Sequence, residues 1–123
     1  MFVPGTSGEF ETPVPSAART TSGNTAMLVD TSALGTPRAI RAQLNVTAAS
    51  GTTPTLDVAI QDSVDGVNWN TVASFTQATA VTRQVINIIT ATTPIAPYLR
   101  VTWTIGGTTP SFTFAVDWYA DPK

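Results

Sequence analysis

Tyr98-Leu99-Arg100-Val101-Thr102-Trp103-Thr104-Ile105, then Gly106-Gly107-Thr108-Thr109-Pro110, then Ser111-Phe112-Thr113-Phe114-Ala115-Val116-Asp117-Trp118-Tyr119, is the stretch that decides the fold. Apolar and polar side chains alternate on both flanks, the period of a strand with one buried face. The centre holds Gly, which permits positive φ, and Pro, which stops a ladder. The stretch reads as a β-hairpin. With 100 opposite 117, its inward pairs are Leu99–Trp118, Val101–Val116, Trp103–Phe114 and Ile105–Phe112, the heaviest apolar layer in the chain, with Trp69 as a neighbour. The same register sets Arg100 against Asp117 on the outer face, as a salt bridge or a shared interface contact.

The period of two extends outward from there. Candidate strands fall at 25–30, 38–47, 55–61, 68–75, 82–90, 98–105 and 111–119, rich in Val, Ile, Thr and aromatics and divided by Gly, Pro and Asp. Ile40, Ala42, Leu44 and Val46 share one face of the second, and Leu56, Val58 and Ile60 one face of the third. Residues 82–90 are apolar on both faces, which predicts a strand that is central or covered by a partner. Short strands without a helical stretch predict an all-β fold, a single antiparallel β-sandwich of jelly-roll type with about seven or eight strands. Gly51-Thr52-Thr53-Pro54 echoes Gly107-Thr108-Thr109-Pro110, with a one-residue difference of parity upstream, and reads as two similar hairpins.

Residues 1–24 differ in kind. Pro4, Pro13 and Pro15 stand among Gly, Ser and Thr, with Phe2, Val3, Phe10 and Val14 as the sizeable apolar groups. Alone, such a segment does not offset its ordering entropy, so it reads as an extended arm ahead of a sandwich over 25–123, held by its own domain or by a neighbour. Phe2, Val3, Phe10 and Val14 are its candidate partner-binding anchors.

Composition removes several classes of function. A chain of 123 residues has room for one domain. It has no cysteine and no histidine, which excludes disulfides, thiolate and imidazole metal sites, and Ser-His or Cys-His activation. Charged residues make up 11% of the chain, against ~25% usually, and the net charge is −2. No basic stripe exists to displace counterions from nucleic acid, no apolar run is long enough to span a bilayer, and the first residues lack a signal-peptide pattern, which points to a cytoplasmic origin.

The most motif-like stretch is Gln61-Asp62-Ser63-Val64-Asp65-Gly66-Val67-Asn68-Trp69. Asp-Gly supplies the turn, Ser63 and Asp65 close it onto backbone N–H groups, and Trp69 is expected to return to the core. Asp57, Asp62 and Asp65 do not have the spacing of a calcium loop, and Glu9 and Glu11 are no paired-carboxylate site. No catalytic residue, metal or cofactor is assigned.

The runs 55–69 and 98–114 resemble small β-sandwich proteins of tailed bacteriophages, the head decoration or cement type, over about residues 38–119. That resemblance implies a non-enzymatic protein on the outer capsid surface, often a trimer, that clamps neighbouring major capsid subunits. An acidic, nearly lysine-free surface suits the exterior better than the DNA-facing interior. The Ser-x-Asp-Gly-x-x-Trp turn followed by Tyr-Leu-Arg-Val also resembles discoidin-like jelly rolls, so a carbohydrate-binding module of a tail or fibre is the alternative, with exposed Tyr98 and Tyr119 around a cleft. A small tail or neck component is a third. In every version Trp69, Trp103, Phe112, Phe114 and Trp118 are structural core.

Overall fold

A computed structural model describes residues 9–25, 29–30, 39–89, 96 and 98–121. Its strands are β1 (Glu9–Arg19), β2 (Gly23–Asn24), β3 (Val29–Asp30), β4 (Ala39–Ser63), β5 (Asn70–Ser74), β6 (Thr82–Ile89) and β7 (Tyr98–Asp121). All pairing is antiparallel.

The two long strands organise everything else. β4 and β7 pair along their whole lengths, from Ala39 opposite Asp121 to Ser63 opposite Tyr98. Trp103 and Phe114 on β7 would stand ~36 Å apart if the strand ran straight. Their rings instead meet edge to face with centroids 5.8 Å apart. The ribbon therefore folds back on itself, and each long strand contributes to two layers. One sheet runs β1, second half of β7, first half of β4, β6. The other runs β2 and β3, first half of β7, second half of β4, β5. Two such layers in this order make a jelly roll.

The fold lies at the repeated tetrapeptide. Thr52 pairs with Thr108, and the two turns share one conformation: φ is 110° at Gly51 and 111° at Gly107, and 46° at both Thr53 and Thr109. A Cβ on Gly51 would lie 2.7 Å from the Thr109 carbonyl oxygen and 2.9 Å from Pro110 Cα. One on Gly107 would lie 2.7 Å from the Thr53 carbonyl oxygen and 2.9 Å from Pro54 Cα. The ribbon is thus pseudo-two-fold. The pairs Ala42–Trp118, Leu44–Val116 and Val46–Phe114 in one sheet correspond to Leu99–Asp62, Val101–Ile60 and Trp103–Val58 in the other. A register shift between Val46 and Ala48 accounts for the one-residue difference of parity between the two halves.

The expected hairpin at 98–119 is thereby corrected. Its two flanks pair with β4 instead of each other, because the Gly-Gly-Thr-Thr-Pro segment turns a corner between sheets. Arg100 stands opposite Gln61 and Asp117 opposite Gln43, in different sheets. The expected runs 38–47 and 55–61 are likewise one strand. Of the run 82–90, the described Thr82–Ile89 is an edge, since β6 pairs with β4 alone among the described strands.

The core is filled by the alternating faces that the sequence marks out. Ile40, Ala42, Leu44, Val46, Leu56, Val58, Ile60, Leu99, Val101, Phe112, Phe114, Val116 and Trp118 are buried, and Trp103 packs against them half-buried. Val14 of β1 is 1% exposed and belongs to the same core, so it is not available to a partner. Phe10 pairs with Tyr119 in register. Phe2 and Val3 lie outside the described residues. Arg19 closes the end of β1: its guanidinium donates to the carbonyls of Phe114 (3.0 Å), Ala17 (3.1 Å) and Pro15 (2.7 Å) and lies 4.8 Å from the Phe114 ring and 5.3 Å from the Trp103 ring. Its partial burial lowers its pKa from the usual arginine value.

Candidate interaction surface

Alternation puts the odd residues of β6, β4 and the second half of β7 on the outer face of the β1–β7–β4–β6 sheet. Across it run three rows: Asn87, Arg41, Tyr119; then Val85, Gln43, Asp117; then Arg83, Asn45, Ala115. Val85 is 57% and Tyr119 38% exposed, the large apolar groups exposed on this face among the described residues. Arg41, Gln43, Val85, Asp117 and Tyr119 surround a shallow depression of about 250 Å³. Among the described residues, the side chains of Arg41, Gln43, Asp117 and Tyr119 have no hydrogen-bond or ion-pair partner. The depression therefore offers a guanidinium, a carboxamide, a carboxylate and a phenol that no described residue engages, beside an apolar wall.

The outer face of the opposite sheet is occupied by the chain itself. The loop after β4 carries Trp69, and Arg100 lies over its ring at 4.3 Å while donating from Nε to Gln61 Oε1 at 2.9 Å. Trp69 is half-buried under this cation and lies outside the hydrophobic core, which corrects its expected place there. The turn itself forms as the sequence predicts. Ser63 Oγ accepts from the amides of Asp65 (3.2 Å) and Gly66 (2.8 Å) and donates to Asp65 Oδ1 (3.0 Å). Asp65 Oδ1 accepts from the amides of Val67 (2.8 Å) and Asn68 (2.9 Å), and Oδ2 from Asn68 Nδ2 (3.0 Å). The Asn68 amide foremost, then the Val67 amide, the Asn68 side chain and the Ser63 hydroxyl, hold the Asp65 carboxyl well below the usual carboxylate range.

Two further acids, Asp57 and Asp62, are also committed. Asp57 accepts from Gln77 Nε2 at 3.0 and 3.2 Å, and the buried Asp62 accepts from the Ala96 amide at 2.7 Å. Among the described residues no three acidic side chains converge as metal ligands, and no helix is long and apolar enough to cross a membrane. The expected pairing of Arg100 with Asp117 does not form, since their sheets differ. The sequence reading missed the open face around Val85. Its signal was the two-sided apolar pattern of 82–90, whose outward Val85 no described strand covers.

No protein-family model matches the chain, and no curated protein matches it in sequence. Solved structures do. The PBSX exported protein XepA superimposes with a TM-score of 0.66 at 13% identity, over 94% of this chain and 37% of XepA. A Bacillus endospore appendage protein, from a family of disulfide-linked pili, gives 0.55 at 10% identity, over 99% of this chain and 95% of its own. The SPBc2 prophage-derived protein YomS gives 0.50 at 10%, over 98% and 96%. The chain thus spans little more than a third of XepA and nearly all of the other two. At these identities the likeness is one of fold: an all-β, antiparallel sandwich that these proteins share with this chain.

Proposed function

We propose that this chain is a non-enzymatic structural protein of a tailed-phage virion, which binds the outer surface of the capsid and stabilises it by tying neighbouring major capsid subunits together. The observation that carries the reading is the outer face of the β1–β7–β4–β6 sheet, where Val85 and Tyr119 are exposed above a filled core and the polar groups around them have no partners among the described residues. Exposed apolar groups ringed by uncommitted polar ones are the composition of a protein contact. A nearly lysine-free surface with net charge −2 favours the outside of a DNA-filled shell. Phage-related proteins such as XepA and YomS use the same fold. In this reading Phe2 and Val3 are the arm's anchors on the shell, and Val14 has a core role instead.

The test adds purified protein to heads that lack it and measures bound copies. Tyr119→Glu, Arg41→Glu and removal of residues 1–8 should each lower occupancy at least tenfold while melting remains that of the parent. Undiminished occupancy in all three overturns the reading. A second reading has one observation of its own. Tyr119 beside Arg41, Gln43 and Asp117 is an aromatic platform with hydrogen-bonding groups around it, the chemistry of a sugar site. Glycan-array binding that Tyr119→Ala abolishes, with no binding to heads, would favour it.

A further inference from the structure

A jelly roll leaves four sheet edges, and unpaired edges template association with other strands unless they are blunted. Three are blunted here. β1 carries Pro13 and Pro15, which have no N–H to offer, and two register shifts. β5 has five residues and a register shift at Val72, and β2 and β3 have two residues each. β6 has none of these devices. Its eight residues pair with β4 one for one, from Thr82 opposite Val46 to Ile89 opposite Ala39, without a shift, a proline or a glycine. In such a ladder every second residue turns its N–H and C=O away from β4. Gln84 ties the preceding loop to the strand through both atoms of its amide, accepting from the Thr76 amide at 2.8 Å and donating to the Thr76 carbonyl at 2.9 Å. The outward face carries Arg83, Val85 and Asn87, and Val81, just before the strand, is 65% exposed.

We propose that β6 is a self-association edge, to which β6 of a second copy of this chain adds antiparallel about a two-fold axis normal to the sheet. Such an axis keeps outward residues outward, so odd positions oppose odd positions. Centring on Val85 overlaps 82–88 with 88–82; centring on Ile86 overlaps as many residues but sets Val85 against Asn87 and Arg83 against Ile89. In the Val85-centred register Val85 meets its own copy, and Arg83 stands opposite Asn87 in both directions, a guanidinium against a carboxamide with no like charges opposed. This self-complementarity is what an isologous interface requires. It continues the β1–β7–β4–β6 sheet across the axis and gives the exposed Val85 an apolar cross-strand neighbour. The result is a closed dimer, in place of the trimer that the phage resemblance implies, and it stands whether or not the chain sits on a capsid.

The experiment is sedimentation velocity of the full chain over a concentration series, with Val85→Lys, Val85→Glu and Val67→Lys. The parent and Val67→Lys should show the same monomer–dimer equilibrium. Val85→Lys and Val85→Glu should each weaken it at least tenfold with unchanged melting, because each sets like charges opposite one another, and an equimolar mixture of the two should recover a heterodimer. A parent that stays monomeric, a trimer, a dimer indifferent to Val85→Lys, or a mixture that does not recover association would each overturn the proposal.

Discussion

The corner at Gly51 and Gly107 carries the sharpest consequence of the fold. Gly107→Ala places a methyl 2.7 Å from the Thr53 carbonyl oxygen and 2.9 Å from Pro54 Cα, at a φ of 111°. The backbone conformation costs an L-residue about 1–3 kcal/mol, and forcing a methyl against fixed backbone about 1–3 kcal/mol more. Both turns are largely exposed and can open a little, so the lower halves of those ranges apply, about 3 kcal/mol in total. Gly51→Ala meets the same obstacles at 2.7 and 2.9 Å with φ 110°, so it should cost the same. For a domain of this size that lowers the melting temperature by roughly 10 °C, readable by circular dichroism or calorimetry. The double variant should cost about 1 kcal/mol less than the sum, since opening the corner for one methyl makes room for the other. Thr53→Asn and Thr109→Asn should act in the opposite direction, by about 0.5–1 kcal/mol, because at φ 46° a β-branched residue is strained where Asn is tolerated. An alanine variant melting within 2 °C of the parent would refute the close approach, and unequal costs at the two glycines would refute the symmetry.

Val14→Ala should destabilise by about 2 kcal/mol in urea unfolding through lost burial, and should leave binding of the folded fraction to heads unchanged, since Val14 sits in the core. Arg100→Ala should cost about 1 kcal/mol, mostly the contact with Trp69, and shift tryptophan emission to the red as Trp69 is uncovered; an unmoved spectrum would contradict the stacking. The folded Asp65 carboxyl has a lowered pKa, so its contribution is present above the unfolded value of about 3.9 and is lost as pH falls from there toward the folded value. Urea midpoints measured at pH 5 and pH 2.5 should therefore fall further for the parent than for Asp65→Asn, and equal falls would show that the carboxylate holds nothing.

Alternation made the faces of this fold legible and left the partners open. Ile40, Ala42, Leu44 and Val46, and Phe112, Phe114, Val116 and Trp118, are buried as their period requires. A period of two states which way a side chain points, however, and says nothing of which strand lies alongside. Gly-Gly-Thr-Thr-Pro serves a hairpin turn and a corner between sheets equally well by composition. What separates them is the second copy at 51–54. Two corners of one shape, each needing its Gly to admit the other's carbonyl, have a reason to recur that two unrelated hairpins lack. Trp103 and Phe114 do touch, as the hairpin predicts, but across the core between layers. Trp69 was misplaced because the Ser63–Asp65 turn takes it out of the ladder, and Arg100, from a strand distant in sequence, supplies its cover.

The pseudo-symmetry also bears on the choice of the proposed interaction surface. Gln43 and Asp117 in one sheet correspond to Arg100 and Gln61 in the other. At the second site the polar pair is closed: Arg100 donates to Gln61 and lies on Trp69, and the loop that carries Trp69 is held by Ser63 and Asp65. At the first site the equivalent side chains have no partner among the described residues, and Val85 stands exposed at their edge. The ribbon is the same at both places, so stability does not account for the difference. A position closed by the chain's own loop on one sheet and left bare by the described residues on its twin is where the proposed partner would dock, with the exposed Val85 and Tyr119 as its apolar foothold.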